Sequence, residues 1–408
     1  MTSHDAQIPP GNASINRAAR ATEAARSVTA IFGRRLLFLP GTHIAAVRRP
    51  SQPVENLVRP WHYWWQAHYV DCLVDTGRRE LGNGATPAAR FDGPHRPSAG
   101  RLASRLVTGI RLRNLFTFVN NYYDDMAWLA LSTLRLEKLA EETRRPGQRR
   151  NARIRKTLTL QFDSASTDDL GGGTFWSKTR DFKNTPATAP VALYYARTGN
   201  PAKAQALLDW LDARLFDPEQ GLYLDGVRIS ATGEAVLETA IYTYNQGPVL
   251  GALLELGGEA NLTRAATVVK AVARTLTRTA GGTGDTAGDT AEWQVLRCEG
   301  TGDGGLFTGI LCRYLALAAA DARLPGTVRA TAARLVLDTA DAFWDGRRKV
   351  TATEPLGRNA GKLIFSSHPE HPAADTYPPG AAVELSTQLQ AWMALEAAAA
   401  VEQAPPPQ

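Results

Sequence analysis

Two carboxylates stand side by side in the stretch Asn120-Asn121-Tyr122-Tyr123-Asp124-Asp125-Met126-Ala127-Trp128. Adjacent acids repel one another and are costly among apolar groups, and here a tyrosine pair precedes them and a Met/Trp face follows. Like-charge coupling raises the proton affinity of one carboxyl so that it stays an acid, while the field at a helix N-terminus keeps the other ionised. A glycosidase needs that division: one acid to protonate the leaving oxygen and one carboxylate to attack the anomeric carbon. Consecutive Cα atoms lie about 3.8 Å apart, which suits the roughly 5–5.5 Å carboxyl separation of retaining enzymes better than the wider gap of inverting ones. Retention of configuration is the expectation. The same residues admit a plainer reading, in which one aspartate favours a helix N-terminus and the other faces water.

Other candidates are weaker. Asp168-Asp169 lies in the loop-like run from Ser164 to Gly173, and because a catalytic pair needs a rigid platform, these read as turn residues at the mouth of a cleft. The glycine triplet Gly171-Gly172-Gly173 lacks the Lys-Ser/Thr of a phosphate-binding loop. The Gly/Asp-rich stretch Gly281 to Asp289 supplies no oxygen cage for calcium. The seven histidines form no His-Glu-x-x-His signature and no Gly-x-Ser-x-Gly elbow is present, so no metal and no cofactor are expected. Sugar rings pack their C–H faces on aromatics and bond their hydroxyls to amides and carboxylates, a mixture offered by Trp176, Asn184, Tyr244, Asn245 and Gln246. Each tryptophan is equally suited to core packing.

The elements that must position these groups are helices. Apolar residues recur at helical spacing over 18–32, 61–74, 102–118 and 122–139, and again over 187–197, 202–216, 237–256, 262–276, 307–319, 328–344 and 382–401. Asn120 and Asn121 are expected to cap the helix that carries the acid pair. Only Leu158 to Phe162 and Leu222 to Asp225 read as short strands. About eleven or twelve helices, paired by short connections, can close into a ring of hairpins with inner and outer layers. The irregular connections 163–173, 281–293 and 299–305 would gather at one mouth of such a ring.

Composition fits a globular chain: of 408 residues, 44% are hydrophobic and 21% charged, with nine tryptophans to fill a core. The net charge of +6 is spread along the chain. Its densest groups, Arg144-Arg145 with Arg149-Arg150, Arg153 and Arg155, and the pair Arg111 and Arg113, lack interleaved aromatics to stack on bases, so nucleic acid is not an expected partner. Cys72, Cys298 and Cys312 match no zinc or redox spacing and read as reduced, buried thiols. The first residues carry no apolar signal core, and no run reaches the roughly 18 apolar residues of a membrane span; a cytoplasmic location is expected. Residues 1–17 read as a flexible segment, 18–402 as one catalytic domain and 403–408, with three consecutive prolines, as a disordered tail.

Several of these motifs together resemble glycoside hydrolase family 76, the endo-α-1,6-mannanase family. Trp64-Trp65-Gln66-Ala67 is similar to the family's first inner-helix motif, and Tyr122-Tyr123-Asp124-Asp125-Met126-Ala127-Trp128 to its catalytic signature. Gly171-Gly172-Gly173-Thr174-Phe175-Trp176 with Lys183-Asn184 resembles its Gly-rich loop, Tyr244-Asn245-Gln246-Gly247 a cleft motif, and Thr308-Gly309 with Arg313-Tyr314 a late one. The likeness spans roughly Ala18 to Ala400, with the motifs in family order. It implies an all-α (α/α)6 toroid with few or no strands and retaining hydrolysis of α-1,6-mannan or its oligosaccharides. It also implies that Asp124 is the nucleophile and Asp125 the acid/base. On that reading Tyr123, Trp176, Asp181, Asn184, Tyr244, Asn245 and Gln246 hold the sugar. Ala187-Thr188 and Phe175 depart from the usual pattern. Transfer to a sugar acceptor, or mannan binding without turnover, are the other activities the same toroid would support.

Overall fold

A helix that faces water on one side needs a single apolar stripe, whereas one enclosed by others must be apolar around most of its girth. The chain alternates these two kinds. The computed structural model describes residues 16–51, 61–82, 93, 95–145, 148–281 and 292–403. Among them are twelve helices of thirteen or more residues: α1 (Arg17–Phe32), α2 (Tyr63–Gly82), α3 (Ala99–Arg113), α4 (Tyr123–Glu142), α5 (Gln148–Ala165), α6 (Thr185–Arg197), α7 (Pro201–Arg214), α8 (Thr243–Leu256), α9 (Glu259–Thr275), α10 (Phe307–Ala320), α11 (Gly326–Asp345) and α12 (Leu385–Gln403). Even-numbered helices pack in sequence, α2 on α4, α4 on α6, α6 on α8, α8 on α10, α10 on α12, and α12 closes on α2. Each odd-numbered helix lies outside this ring against its hairpin partner. The result is an (α/α)6 toroid.

Burial follows the alternation. Outer α9 buries Ala265, Val268, Val269 and Val272, the i, i+3, i+4, i+7 stripe, whereas inner α12 is buried continuously from Leu385 to Ala399. Charged groups on the inner helices pair across the ring. Asp71 and Asp75 of α2 bind Arg135 of α4 and Arg313 of α10, with Arg135 to Asp71 at 2.6 Å and Arg313 to Asp75 at 2.8 Å. Three inner helices share a further device at their fourth residue. The side-chain amides of Gln66, Gln246 and Gln388 each accept from the backbone N–H and donate to the backbone C=O of one residue on the incoming loop: Ala45, Tyr223 and Phe365 respectively. Each glutamine thus ties a loop to the start of the helix that follows it.

Strands are few and short. Among the described residues one sheet of three strands joins β1 (Phe182–Asn184), β2 (Gly226–Ile229) and β3 (Ala235–Glu238) antiparallel, pairing Lys183 with Val227 and Val227 with Leu237. Leu237, read from sequence as the start of a helix, is therefore in a strand, and α8 begins only at Thr243. Leu158–Phe162, read as a strand, lies in α5. Leu222-Tyr223 does form a two-residue strand, against Phe216-Asp217. Of the expected flexible segment 1–17, Asn16 caps α1 and Arg17 opens it, and of the expected tail 403–408, Gln403 ends α12; the rest of both, the run 83–92 and the centre of the Gly281 to Trp293 connection lie outside the described residues.

Candidate active site

The inner helices all run the same way, so their N-termini meet at one mouth, and the candidate residues sit there. Asp124 and Asp125 occupy the first turn of α4. The expected cap is different in kind: the N-cap residue is Tyr122, without a side-chain bond. Asn120 instead accepts from the Tyr122 N–H at 2.8 Å and donates to Asp125 Oδ2. Asp124 is held by two N–H donors, the Asp125 backbone to Oδ1 at 2.8 Å and the Trp176 indole to Oδ2 at 3.0 Å.

Trp176 reaches Asp124 because its own backbone is pinned on both sides. Its carbonyl accepts from the Tyr123 N–H and its N–H donates to the Phe182 carbonyl, each at 2.8 Å. The loop behind it is fixed by Lys183, whose fully buried ammonium donates to the carbonyls of Thr167, Asp169 and Gly172 at 2.6, 2.7 and 2.8 Å. Gly173, at φ +76°, passes so close to Trp210 that a Cβ would meet its ring at 2.6 Å; only glycine fits there. Asp168 and Asp169 are exposed on this turn.

Across the mouth stands a group that the sequence did not reveal. Asp303 Oδ1 accepts from the indoles of Trp64 and Trp65 at 3.0 and 2.8 Å, with His62 Nδ1 at 3.5 Å. These donors outweigh burial and hold Asp303 below the usual carboxylate range. Tyr244 stacks on Phe307 at 3.7 Å, 12° from parallel, with Trp64 beside both. Its hydroxyl lies in the fields of Asp225, Asp124 and Asp303, which add to burial in raising its pKa. Tyr122 and Trp176 form a second aromatic wall, their rings 4.9 Å apart.

The electrostatics separate the pair. Burial lifts Asp124 to about 7, opposed by its two N–H donors. Asp125 is raised well above the carboxylate range by burial and then by the Asp124 charge, with the Asn120 amide opposing. Asp124 therefore ionises first and Asp125 keeps its proton. In the plainer reading the aspartate facing water would be Asp124, which is half-buried, with both carboxylate oxygens accepting protein N–H groups.

The remaining sequence-predicted residues take different places. Tyr123 is buried and meets the site through its backbone. Asn184 caps α6, its Oδ1 accepting from Ala187 N–H at 3.1 Å. Asp181 lies at the rim, bonded to Thr179 and facing Arg228. Asn245 donates to Asp225 at 3.2 Å, and its buried Oδ1 has no hydrogen-bond partner. Gln246 is fully engaged with the backbone of Tyr223 and Tyr242.

A family model described as Glycosyl hydrolase family 76 matches residues 43–360. The chain belongs to that family. Family 76 is a family of glycosidases, and three solved relatives frame this member. The GH76A α-1,6-mannanase of Salegentibacter sp. HEL1_6 is 27% identical over 95% of this chain and 100% of that one, with a TM-score of 0.72. An inactive variant of the same mannanase, substituted at two adjacent aspartates and in complex with α-1,6-mannotriose, is 26% identical over 95% and 100%, at 0.73. Dfg5 from Chaetomium thermophilum, in complex with glucosamine, shares 16% identity over 98% and 94% at 0.62, a likeness of fold alone. No protein of curated function matches the chain.

Proposed function

We propose that this family 76 chain hydrolyses α-1,6-linked mannosides with retention of configuration. The observation that carries the reading is the unequal pair in the first turn of α4: Asp124 with two N–H donors on its carboxylate, Asp125 with the higher proton affinity. Asp124 attacks the anomeric carbon while the Asp125 proton passes to the leaving glycosidic oxygen, giving a glycosyl ester on Asp124. Asp125, now ionised, takes a proton from water; the resulting hydroxide equivalent displaces Asp124 and releases the sugar. Trp176 keeps Asp124 oriented through both halves, and the partly buried Tyr244 beside Trp64 and Phe307 offers aromatic surface to sugar C–H groups. The relative inactivated at two adjacent aspartates and holding α-1,6-mannotriose supports the linkage.

Reducing-end release from α-1,6-mannan tests this, with Asp124→Asn and Asp125→Asn each expected to lose activity by orders of magnitude. Proton NMR of the first-formed anomer tests retention. Full activity in both variants, or an inverted first product, would overturn the respective half of the proposal.

A further inference from the structure

Two loops on one side of the toroid carry closely similar short sequences, with their Leu-Phe tips in the same unusual conformation. Arg35-Leu36-Leu37-Phe38 follows α1 and Arg113-Asn114-Leu115-Phe116 ends α3. In each the last two residues lie in the left-handed region: Leu37 at φ 44° and Phe38 at 60°, Leu115 at 53° and Phe116 at 65°. Bulky L-residues reach that region only against steric resistance between Cβ and the backbone, so something must hold them there.

Side chains do the holding. Thr42 Oγ1 accepts from Leu36 N–H at 3.1 Å and donates to the Leu39 carbonyl at 2.7 Å. Arg111 donates to the Phe116 carbonyl at 3.0 Å, and Asn114 to the carbonyls of Thr117 and Val119, both at 3.1 Å. These braces push the apolar tips outward. Phe38 is 90% exposed, Leu115 85%, Phe116 69% and Leu37 65%. Burying such groups in water-free surroundings is favourable, so exposing four of them together marks a surface with a partner.

The ground between the tips is cationic. Burial and then repulsion from Arg49 and Arg113 lower the pKa of Arg34; burial and then Arg101 and Arg35 lower Arg105; burial and then Arg111 lowers Arg150. Arg34 and Arg35 of the first loop line one cavity with Arg101 and Arg105 of α3, so the loop and that face share one field. Among the described residues no carboxylate lies within ion-pair distance of Arg34, Arg35, Arg105, Arg111 or Arg150. A second copy of the chain would bring arginine against arginine, and a nucleic acid would leave the leucines without a use. A bilayer with anionic headgroups satisfies both features at once, taking the tips below the headgroups and the guanidinium groups among the phosphates.

We propose that the Leu37-Phe38 and Leu115-Phe116 loops, with the arginines between them, dock this protein on an anionic lipid surface. The second loop runs directly into Asn120, which bonds Asp125, so docking sets the cleft rim beside the membrane. Access to glycans rooted in that membrane rests on the mannosidase reading; the docking does not.

Co-sedimentation of the full chain with vesicles tests it. Wild type is expected to bind phosphatidylcholine vesicles containing about 30% phosphatidylglycerol and to bind pure phosphatidylcholine roughly tenfold less. The Phe38→Ser/Phe116→Ser variant should lose roughly tenfold in binding to the anionic vesicles, with its melting temperature and hydrolysis of soluble mannan unchanged. Arg35→Gln/Arg105→Gln should weaken binding at low salt and leave little difference at high salt. Absence of wild-type binding to the anionic vesicles would overturn the proposal, as would equal binding by the serine variant. So would a concentration-dependent dimer that the serine variant abolishes, which would give the face to self-association. Hydrolysis of soluble mannan, read in the same samples, reports on the mannosidase reading separately.

Discussion

The indole N–H of Trp176 donates to Asp124 Oδ2 across 3.0 Å, joining two residues fifty-two positions apart. The bond favours the ionised carboxylate, which is the form that attacks in the proposed mechanism. Hydrogen bonds to charged groups are worth about 1.5–3 kcal/mol, and the Trp176→Phe variant removes this donor while keeping much of the aromatic wall. Its kcat should fall roughly 10- to 100-fold, and the acidic limb of the pH–rate profile, set in wild type by Asp124 at about 7, should move upward. A profile measured on soluble mannan, with unchanged acidic limb, would deny the bond this role.

Asp303 faces the pair from the other wall, and its negative charge raises the proton affinity of both carboxyls. Asp303→Asn removes that charge, so both limbs should shift toward lower pH. Asp303 is itself partly open to solvent, with 58% of its side chain exposed. Screening therefore limits the shift to less than about one pH unit. The same variant loosens Trp64 and Trp65, so KM should rise as well. Movement of KM without movement of the limbs would confine Asp303 to a structural part.

Asp125 carries a stability cost with a definite sign. Its folded pKa lies well above its unfolded one, so between the two the native state binds the extra proton and stability falls as pH rises. Asp125→Asn abolishes the titration. The variant should melt at a higher temperature than wild type at pH 8, and the gain should vanish below about pH 3, where the wild-type carboxyl is protonated in both states. Thermal melts across that range check it; a variant less stable at pH 8 would contradict the sign.

The helices were legible because most have enough apolar residues to show their period. α5 escaped because its first turns are crowded with arginine. Its buried positions, Ile154, Leu158, Phe162 and Ala165, are spaced too widely to stand out. Within it Leu158-Thr159-Leu160-Gln161-Phe162 alternates like a strand, yet Leu160 points to solvent. The acid pair was legible since its cost among apolar neighbours is written in nine consecutive residues. Asp303 was not, because the indole donors that define it come from residues 238 and 239 positions away, and no local pattern carries that. Gln246 illustrates the opposite problem. Its amide suits a sugar hydroxyl by type, but its place at the fourth position of α8 commits it to the Tyr223 backbone, as the equivalent places commit Gln66 and Gln388 to theirs.

Lys183 turns three carbonyls inward on an ammonium ion, the arrangement by which many loops cradle calcium. The counter-charge for that turn is thus covalently part of the chain. Order in the loop behind Trp176 should be indifferent to chelators and to the ionic make-up of the medium. Neutralising this one nitrogen, as by lysine-to-methionine replacement, should have the effect on it that stripping the ion has on a calcium-held loop.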